Sequence, residues 1–280
     1  MQIVKTVAAM QKVCRQMQEE TSSLAFVPTM GALHEGHLSL VRRAKAECEA
    51  VAASIFVNPL QFAPGEDYSR YPRTFEDDCA KLEAEGIDVL FAPDAAEMYP
   101  PGAVTTVTVI GIADRLDGAS RPGHFTGVAT VVSKLFHIAM PHRAYFGQKD
   151  AAQLAVLRQM VRDLNFELEI VACPIVRDPD GLAMSSRNLY LSDAERAQAL
   201  ALPRALQAMQ QLIADGQRER SELLLEGTGV LQAEPGVRVD YLAVVDADTL
   251  LPVAEAEPGT LVAGAVHVGH TRLIDNFIAV

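Results

Sequence analysis

The sequence predicts an α/β protein: a parallel sheet with helices on both faces, followed by a smaller α+β unit at the C-terminal end. Three observations carry that prediction. Apolar runs at 24–27, 51–57 and 87–91 alternate with helical periodicity at 38–50 and 75–85, the β-α-β-α-β order of a parallel sheet. A second strand–turn–helix junction follows at 143–164. Beyond residue 190 helices come first and strands afterwards, the order of an α+β unit.

The elements follow in order. Residues 6–19 are amphipathic: Val7, Met10, Val13, Cys14 and Met17 recur at steps of three and four, opposite Lys12, Arg15 and Glu19. Leu24-Ala25-Phe26-Val27 is long enough for a buried strand, and Pro28, which donates nothing to a sheet ladder, is expected to stop it. Gly31, His34, Gly36 and His37 come next. From Leu38 the pattern turns helical through Leu38, Val41 and Ala44, beside Arg42, Arg43 and Lys45. The run 51–57 ends in Asn58-Pro59, where a strand hands over to a loop. Asn58 and Gln61 are expected to face the same crevice as the first turn. Residues 63–73 are irregular; Thr74 is the expected cap of the helix at 75–85, with Asp77 within capping-box reach, and Gly86 ends that helix.

Val104 to Ile112, with threonine at 105, 106 and 108, reads as an edge strand, pairing with a second subunit being the other reading. Thr126 to Ala139 is apolar nearly all round, a buried helix. Arg143 to Phe146 is a short strand, followed by Gly147-Gln148-Lys149-Asp150 and a helix at 151–164 with Gln153 in its first turn. The strand at 167–173 is closed by Pro174. Arg177-Asp178-Pro179-Asp180-Gly181 is a strong turn signal and sets the expected domain boundary, 1–176 and 177–280. Ser192 caps a helix through 193–214, a second spans 219–233, and strands follow near 238–245, 260–267 and 271–279, with His267 and His270 in strand-like segments.

Bulk properties narrow the function. With 280 residues and 49% hydrophobic content the chain has material for two packed cores. No apolar run approaches the roughly 18–20 residues of a membrane helix, so no membrane partner is expected. Met1-Gln2-Ile3-Val4-Lys5 lacks a signal peptide's apolar core. Cys14, Cys48, Cys79 and Cys173 are scattered without a C-x-x-C, which indicates neither disulfides nor a zinc knuckle and fits a cytoplasmic location. A formal charge of −12 argues against a nucleic-acid surface. It also makes each cation in a glycine-bearing loop informative.

Residues 25–37 read strand, glycine-bearing turn, helix. At such a junction the helix N-terminus offers free N–H groups and a dipole that favours an anion, and two imidazoles can donate to phosphate oxygens. A phosphate or nucleotide site is the physical reading. Zinc is disfavoured, because a metalloprotease helix needs histidines at i and i+4 and these are three apart with a glycine between. Lys149 on its glycine turn is the point charge phosphate sites use. Ser185, Ser186 and Arg187, beside the expected hinge, suit a mobile anion clamp, although taken alone they read rather as a neutral surface loop. There is no nucleophile elbow, metal cluster or G-x-G-x-x-G. Phosphate-directed groups in three separate loops suit nucleotidyl transfer.

Five segments make the sequence recognisable: Pro-Thr-Met-Gly-Ala-Leu-His-Glu-Gly-His (28–37), Phe-Val-Asn-Pro-Leu-Gln-Phe (56–62), His-Phe-Thr-Gly-Val-Ala-Thr-Val-Val-Ser-Lys-Leu-Phe (124–136), Tyr-Phe-Gly-Gln-Lys-Asp (145–150) and Asp-Gly-Leu-Ala-Met-Ser-Ser-Arg-Asn (180–188). Over essentially its whole length the chain resembles the pantothenate synthetase family, AMP-forming ligases that join pantoate to β-alanine. His-x-Gly-His alone would indicate the wider nucleotidylyltransferase superfamily. That superfamily includes class I aminoacyl-tRNA synthetases, whose mobile Lys-Met-Ser-Lys-Ser loop the Met-Ser-Ser-Arg segment looks like.

The resemblance implies a Rossmann-like ATP- and pantoate-binding domain, a C-terminal lid domain, a homodimer, small-molecule substrates and ATP with Mg²⁺. Carried over position by position, it places Met30, Gly31, Ala32, Leu33, His34, Glu35, Gly36, His37, Gly147, Gln148, Lys149, Asp150, Val176, Met184, Ser185, Ser186 and Arg187 at ATP. Gln61 and Gln153 would hold pantoate, Gln61 also lying near β-alanine, with Asn58 and Arg121 close by. His34, His37, Lys149 and Arg187 would be catalytic, supplying the charge neutralisation that attack by a carboxylate on ATP requires. His37 is cast either as proton donor or as phosphate stabiliser. Metal ligands are not assigned. Gln148 stands where the family often has glutamate. Two alternatives stay open: a transferase that leaves the nucleotide on its product, and a protein that senses ATP without turning it over.

Overall fold

The computed structural model describes residues 1–280. In chain order the first part comprises β1 (Gln2–Val4), α1 (Val7–Glu20), β2 (Leu24–Thr29), α2 (Glu35–Glu47), β3 (Ala50–Ile55), α3 (Phe75–Ala84) and β4 (Val89–Phe91). There follow α4 (Ala95–Met98), α5 (Asp117–Ser120), α6 (His124–Ala139), β5 (Arg143–Gly147), α7 (Ala151–Asp163) and β6 (Glu169–Cys173). The remainder is α8 (Asp193–Ala199), α9 (Ala201–Ala214), α10 (Arg220–Gln232), β7 (Val237–Val245), β8 (Leu261–Val268) and β9 (Thr271–Ile278).

Six strands form one parallel sheet in the order β1-β4-β3-β2-β5-β6. Successive side chains of a strand face opposite sides, and here the two sides enter different cores. Leu24 and Phe26 of β2 join Ala52, Phe91 and Phe146 against α1, α6 and α7. Ala25 and Val27, one residue out of step, join Val51, Leu90 and Tyr145 against α2 and α3. Helices therefore cover both faces. The last three strands form a separate antiparallel sheet. One of its faces packs on α9 and α10 through Val262, Val266, Leu206 and Leu223. Leu261 and Ala263 enter the first core instead, so the two parts share a packed boundary.

Several local expectations are corrected. Pro28 lies inside β2 rather than ending it: β5 pairs with β2 only at Ala25 and Phe26, so at Pro28 that side of the strand carries no ladder needing a donor. Helix α2 begins at Glu35, ahead of Leu38, because His34 and His37 themselves close its N-terminus. Thr74 makes no cap; its hydroxyl donates to Asp78 Oδ2 at 3.2 Å, while Asp77 pairs with Lys81. Residues 104–112 are not a strand. The edge place beside β4 is held by β1, which periodicity did not disclose, and the segment is tied to α6 by the Val107 N–H donating to Thr130 Oγ1 at 2.9 Å. The expected helix at 193–214 breaks at Leu200, since Pro203 has no N–H to return to the Ala199 carbonyl. His270 sits in the hairpin turn between β8 and β9, not in a strand.

Candidate active site

The strand order reverses between β2 and β5, because the chain winds outward through β3 and β4 on one side and through β6 on the other. Such a reversal leaves a crevice beyond the carboxyl ends of the two central strands. The loop after β2 and the turn after β5 meet there, and with residues 174–176 and 184–187 they enclose a cavity of about 160 Å³.

The histidines are the helix cap. His34 Nδ1 accepts the N–H of Gly36 at 3.2 Å, and His37 Nδ1 accepts the N–H of His34 at 3.4 Å. Two imidazoles thus fill the roles that a hydroxyl and a carboxylate usually play in a capping box. Burial, with Lys149 acting in the same direction, pulls His34 down to about 4. Burial, then His34 and Lys149, pulls His37 down to about 3. Both shifts favour the neutral ring at pH 7. With Nδ1 accepting in each, the remaining proton is on Nε2, and neither Nε2 has a partner within the chain. The helix N–H groups expected to meet an anion are partly consumed, and ring N–H groups take their place. A neutral pair presents hydrogen-bond donors rather than positive charge.

The loop between β2 and α2 is held from below. Asp78 accepts the N–H of Ala32 at 2.8 Å and of Leu33 at 2.7 Å, and a Cβ on Gly31, where φ is +81°, would lie 3.0 Å from the same carboxylate. Gly31, Ala32 and Leu33 therefore shape the loop, while Met30, His34, Gly36 and His37 line the cavity. The Glu35 carboxylate turns to the surface and pairs with Arg42, so its side chain is not part of the site. Asp78 was missed in the sequence. The only signal was an acidic first turn, Glu76-Asp77-Asp78, which did not say which of the three turns inward.

At the end of β5, Gly147, Lys149 and Asp150 line the cavity, whereas the Gln148 side chain turns away and donates to Asn276 Oδ1 at 3.2 Å. Val176 and Met184 form the facing wall, joined by the Met184 N–H on the Val176 carbonyl at 3.0 Å. Ser186 donates its hydroxyl to the Ala32 carbonyl at 3.2 Å, and Ser185 Oγ accepts the N–H of Arg187 at 3.3 Å. Both bonds of the Arg187 guanidinium go to Asp67, each at 2.9 Å. The expected anion clamp is therefore held by the protein's own carboxylate. Lys149 is the cation on this cavity that has no carboxylate partner.

A second, larger cavity of about 520 Å³ adjoins the first, and Lys149, Asp150, Ser185 and Arg187 line both. Gln153 and Arg121 line the larger one; Gln61 and Asn58 do not. Asn58 is buried and spent internally: Oδ1 accepts the Tyr99 hydroxyl at 2.8 Å, and Nδ2 donates to the Gly127 carbonyl at 3.0 Å and to Gln61 Oε1 at 3.2 Å. It is a holder of Gln61, which corrects its placement at the crevice. Gln61 in turn contacts Met30 Sδ through Nε2. Arg121 is paired with Glu66 at 2.7 Å and donates to His124 Nε2 at 3.0 Å. The His124 Nδ1–H donates to the Gln61 carbonyl at 2.8 Å. Burial, then Arg121, pulls His124 down to about 4, so it is a neutral link. His124 opens the segment 124–136 that carried the family resemblance but was assigned no role there, and Glu66 and Asp67 lie in no motif used.

Fold and site together define a Rossmann-like α/β protein with a phosphate-directed pocket at its switch point and a second polar cavity against it. Comparison with known proteins narrows that class. A family model for pantoate-beta-alanine ligase matches residues 2–278. A pantothenate synthetase of Acidobacterium capsulatum is 64% identical over 258 residues, 92% of this chain and 86% of its own. That of Koribacter versatilis is 55% identical over 278 residues, covering 99% and 96%. The crystal structure of pantothenate synthetase from Thermus thermophilus is similar with a TM-score of 0.95, 50% identity and 99% of each chain covered. A pantoate-beta-alanine ligase from Francisella tularensis, solved with beta-gamma ATP and beta-alanine, gives a TM-score of 0.81 at 33% identity, covering 99% and 97%. The chain belongs to the pantoate-beta-alanine ligase family and is a ligase.

Proposed function

We propose that this chain condenses (R)-pantoate with β-alanine to pantothenate, consuming ATP and releasing AMP and pyrophosphate through a pantoyl adenylate. One observation carries the reading: Lys149, free of any carboxylate, stands on the wall between the two cavities. That is where a carboxylate in the larger cavity would meet the α-phosphate of a nucleotide in the smaller one.

A carboxylate oxygen of pantoate attacks the α-phosphorus; the bond to the bridging oxygen of the β-phosphate breaks and pyrophosphate leaves with the electron pair. Carboxylates are nucleophilic at neutral pH, so this step needs no base. It needs donors on the phosphate oxygens, a role suited to His34 Nε2–H, His37 Nε2–H and the Lys149 ammonium, whose residues line the smaller cavity. The amine of β-alanine then attacks the acyl carbon, the acyl–oxygen bond breaks, AMP leaves and the nitrogen loses a proton. The intermediate is a mixed anhydride that water would destroy. The Ser186–Ala32 and Arg187–Asp67 contacts keep residues 184–187 across the cavity and support its exclusion of water.

Magnesium takes phosphate oxygens, waters and one or two carboxylates. Asp150, beside Lys149 on both cavities and outside every ion pair, fits that demand. We place the domain boundary at 176/177 and read the chain as a cytoplasmic homodimer, with Gln153 and Arg121 at pantoate and Gln61, which contacts Met30 of the smaller cavity, reaching it from that side. Product analysis with ATP, Mg²⁺ and (R)-pantoate, with and without β-alanine, tests the function. AMP, pyrophosphate and pantothenate are expected only with all three substrates. A stable nucleotidylated product would point to a transferase, and ATP binding without turnover to a sensor.

A further inference from the structure

Asn276 is a polar side chain 2% exposed in the middle of β9, opposite Ala263 on β8. A buried amide is tolerated when its hydrogen bonds are made, and all three made here go to one place. Nδ2 donates to the Gln148 carbonyl at 3.0 Å and to the Lys149 carbonyl at 2.9 Å, while Oδ1 accepts from Gln148 Nε2 at 3.2 Å. These partners are the turn between β5 and α7, more than a hundred residues away in the chain. Asp275, next to Asn276 and equally buried, accepts the Asn276 N–H at 2.8 Å and pairs with Arg177 at 2.7 and 2.9 Å. The Lys149 ammonium has no protein partner to aim it, so the direction of its stem is set by the backbone that Asn276 grips.

We infer that Asn276 is a positioning residue for Lys149, which makes the last strand of the C-terminal sheet part of the apparatus that activates ATP. The inference rests on the function proposed above. Loss of the amide leaves the two carbonyls without those donors and the 148–149 turn free to shift. A displacement near 1 Å at a charge-stabilising group costs on the order of 10²-fold.

The test is a double-substitution cycle with Asn276→Ala and Lys149→Met, read as kcat, KM for ATP and KM for β-alanine. Asn276→Ala is expected to lower kcat by roughly 10- to 100-fold with KM for β-alanine changed less than about twofold. In the Lys149→Met background the same substitution should cost less than about twofold, because two residues acting as a unit are non-additive. Equal losses in both backgrounds, or full activity of Asn276→Ala, would overturn the inference. Should Asn276→Ala not fold, Asn276→Ser, which keeps one donor, carries the same cycle. Wild-type enzyme that makes no pantothenate would sink the proposed function instead. The cycle run on ATP affinity by titration calorimetry would then still decide whether Asn276 acts through Lys149.

Discussion

Arg187 and Asp67 meet through two hydrogen bonds of 2.9 Å each, across 120 positions of the chain. The contact ties the segment carrying Met184, Ser185 and Ser186 to the loop before α3, at the edge shared by the two cavities. Asp67→Asn removes the charge and one of the two bonds, loosening that segment while keeping the guanidinium. The expected result is leakage of the anhydride to water, measured as AMP formed in excess of pantothenate. Arg187→Ala removes both bonds and leaves Asp67 unpaired, so its excess of AMP over pantothenate should be larger than that of Asp67→Asn. A one-to-one ratio of AMP to pantothenate in Asp67→Asn would show that the pair does not gate water.

The histidines predict an acid limb in stability. His34 and His124 are pulled down to about 4 and His37 to about 3, from an ordinary value near 6.5. Below pH 6.5 the unfolded chain binds protons that the folded chain refuses, so stability falls as the pH drops toward 4 and is unaffected above 6.5. Each such group steepens the slope by at most about 1.4 kcal/mol per pH unit. Urea midpoints at pH 7.5 and 5 should therefore differ less in His37→Gln than in wild type; an unchanged difference would contradict neutral burial.

The same neutrality bears on chemistry. If His37 works through a neutral Nε2–H, kcat shows no limb from this residue between pH 5.5 and 8. A rate that declines as the pH rises through about 6.5, the ordinary histidine value, and that loses this limb in His37→Gln, would make it a proton donor instead.

Asp78 receives two backbone N–H groups of the loop at 2.8 and 2.7 Å. In Asp78→Asn one oxygen becomes a donor facing a donor. The expected loss is about 1–3 kcal/mol of stability, with a fall in kcat because His34 follows that loop directly. Urea unfolding and steady-state assays of the purified variant check both. Unaltered kcat would separate the loop from the chemistry.

Gly127 lets α6 lie against the turn that carries Gln61. A Cβ there would stand 2.2 Å from the Leu60 carbonyl oxygen and 2.4 Å from its carbon. Gly127→Ala must push backbone aside, at a cost of about 1–3 kcal/mol. KM for pantoate should rise more than KM for ATP, and a uniform effect on both would place Gln61 outside the pantoate site.

Much of this architecture was legible. Short apolar runs and helical periodicity located β2 to β6 of the main sheet, the long helices and the three C-terminal strands, because burial imposes those patterns locally. The edge strand β1, three residues long, and the irregular run at 104–112 were not legible. An edge place is decided by which segment reaches the neighbouring strand: three residues show no period, and the alternation at 104–112 did not make it a strand. The break at Leu200 was written in Pro203 and went unread.

By itself, then, the sequence determined which candidate residues carry phosphate-directed groups and which loops present them: His34 and His37 after one strand, Lys149 after another, the serines and Arg187 near the turn at 177–181. Only the tertiary structure decided what each of them is free to do. Asp78 is 46 positions from Ala32, Asp67 is 120 from Arg187, and Asn276 is 128 from Gln148. The physical reason is range. Periodicity and turn chemistry act over a few residues, whereas the partner that neutralises a guanidinium, satisfies a carbonyl or desolvates an imidazole is chosen by how the sheet brings distant segments together. Arg187 was thereby paired, the histidines were desolvated, and Lys149 remained available between the two cavities.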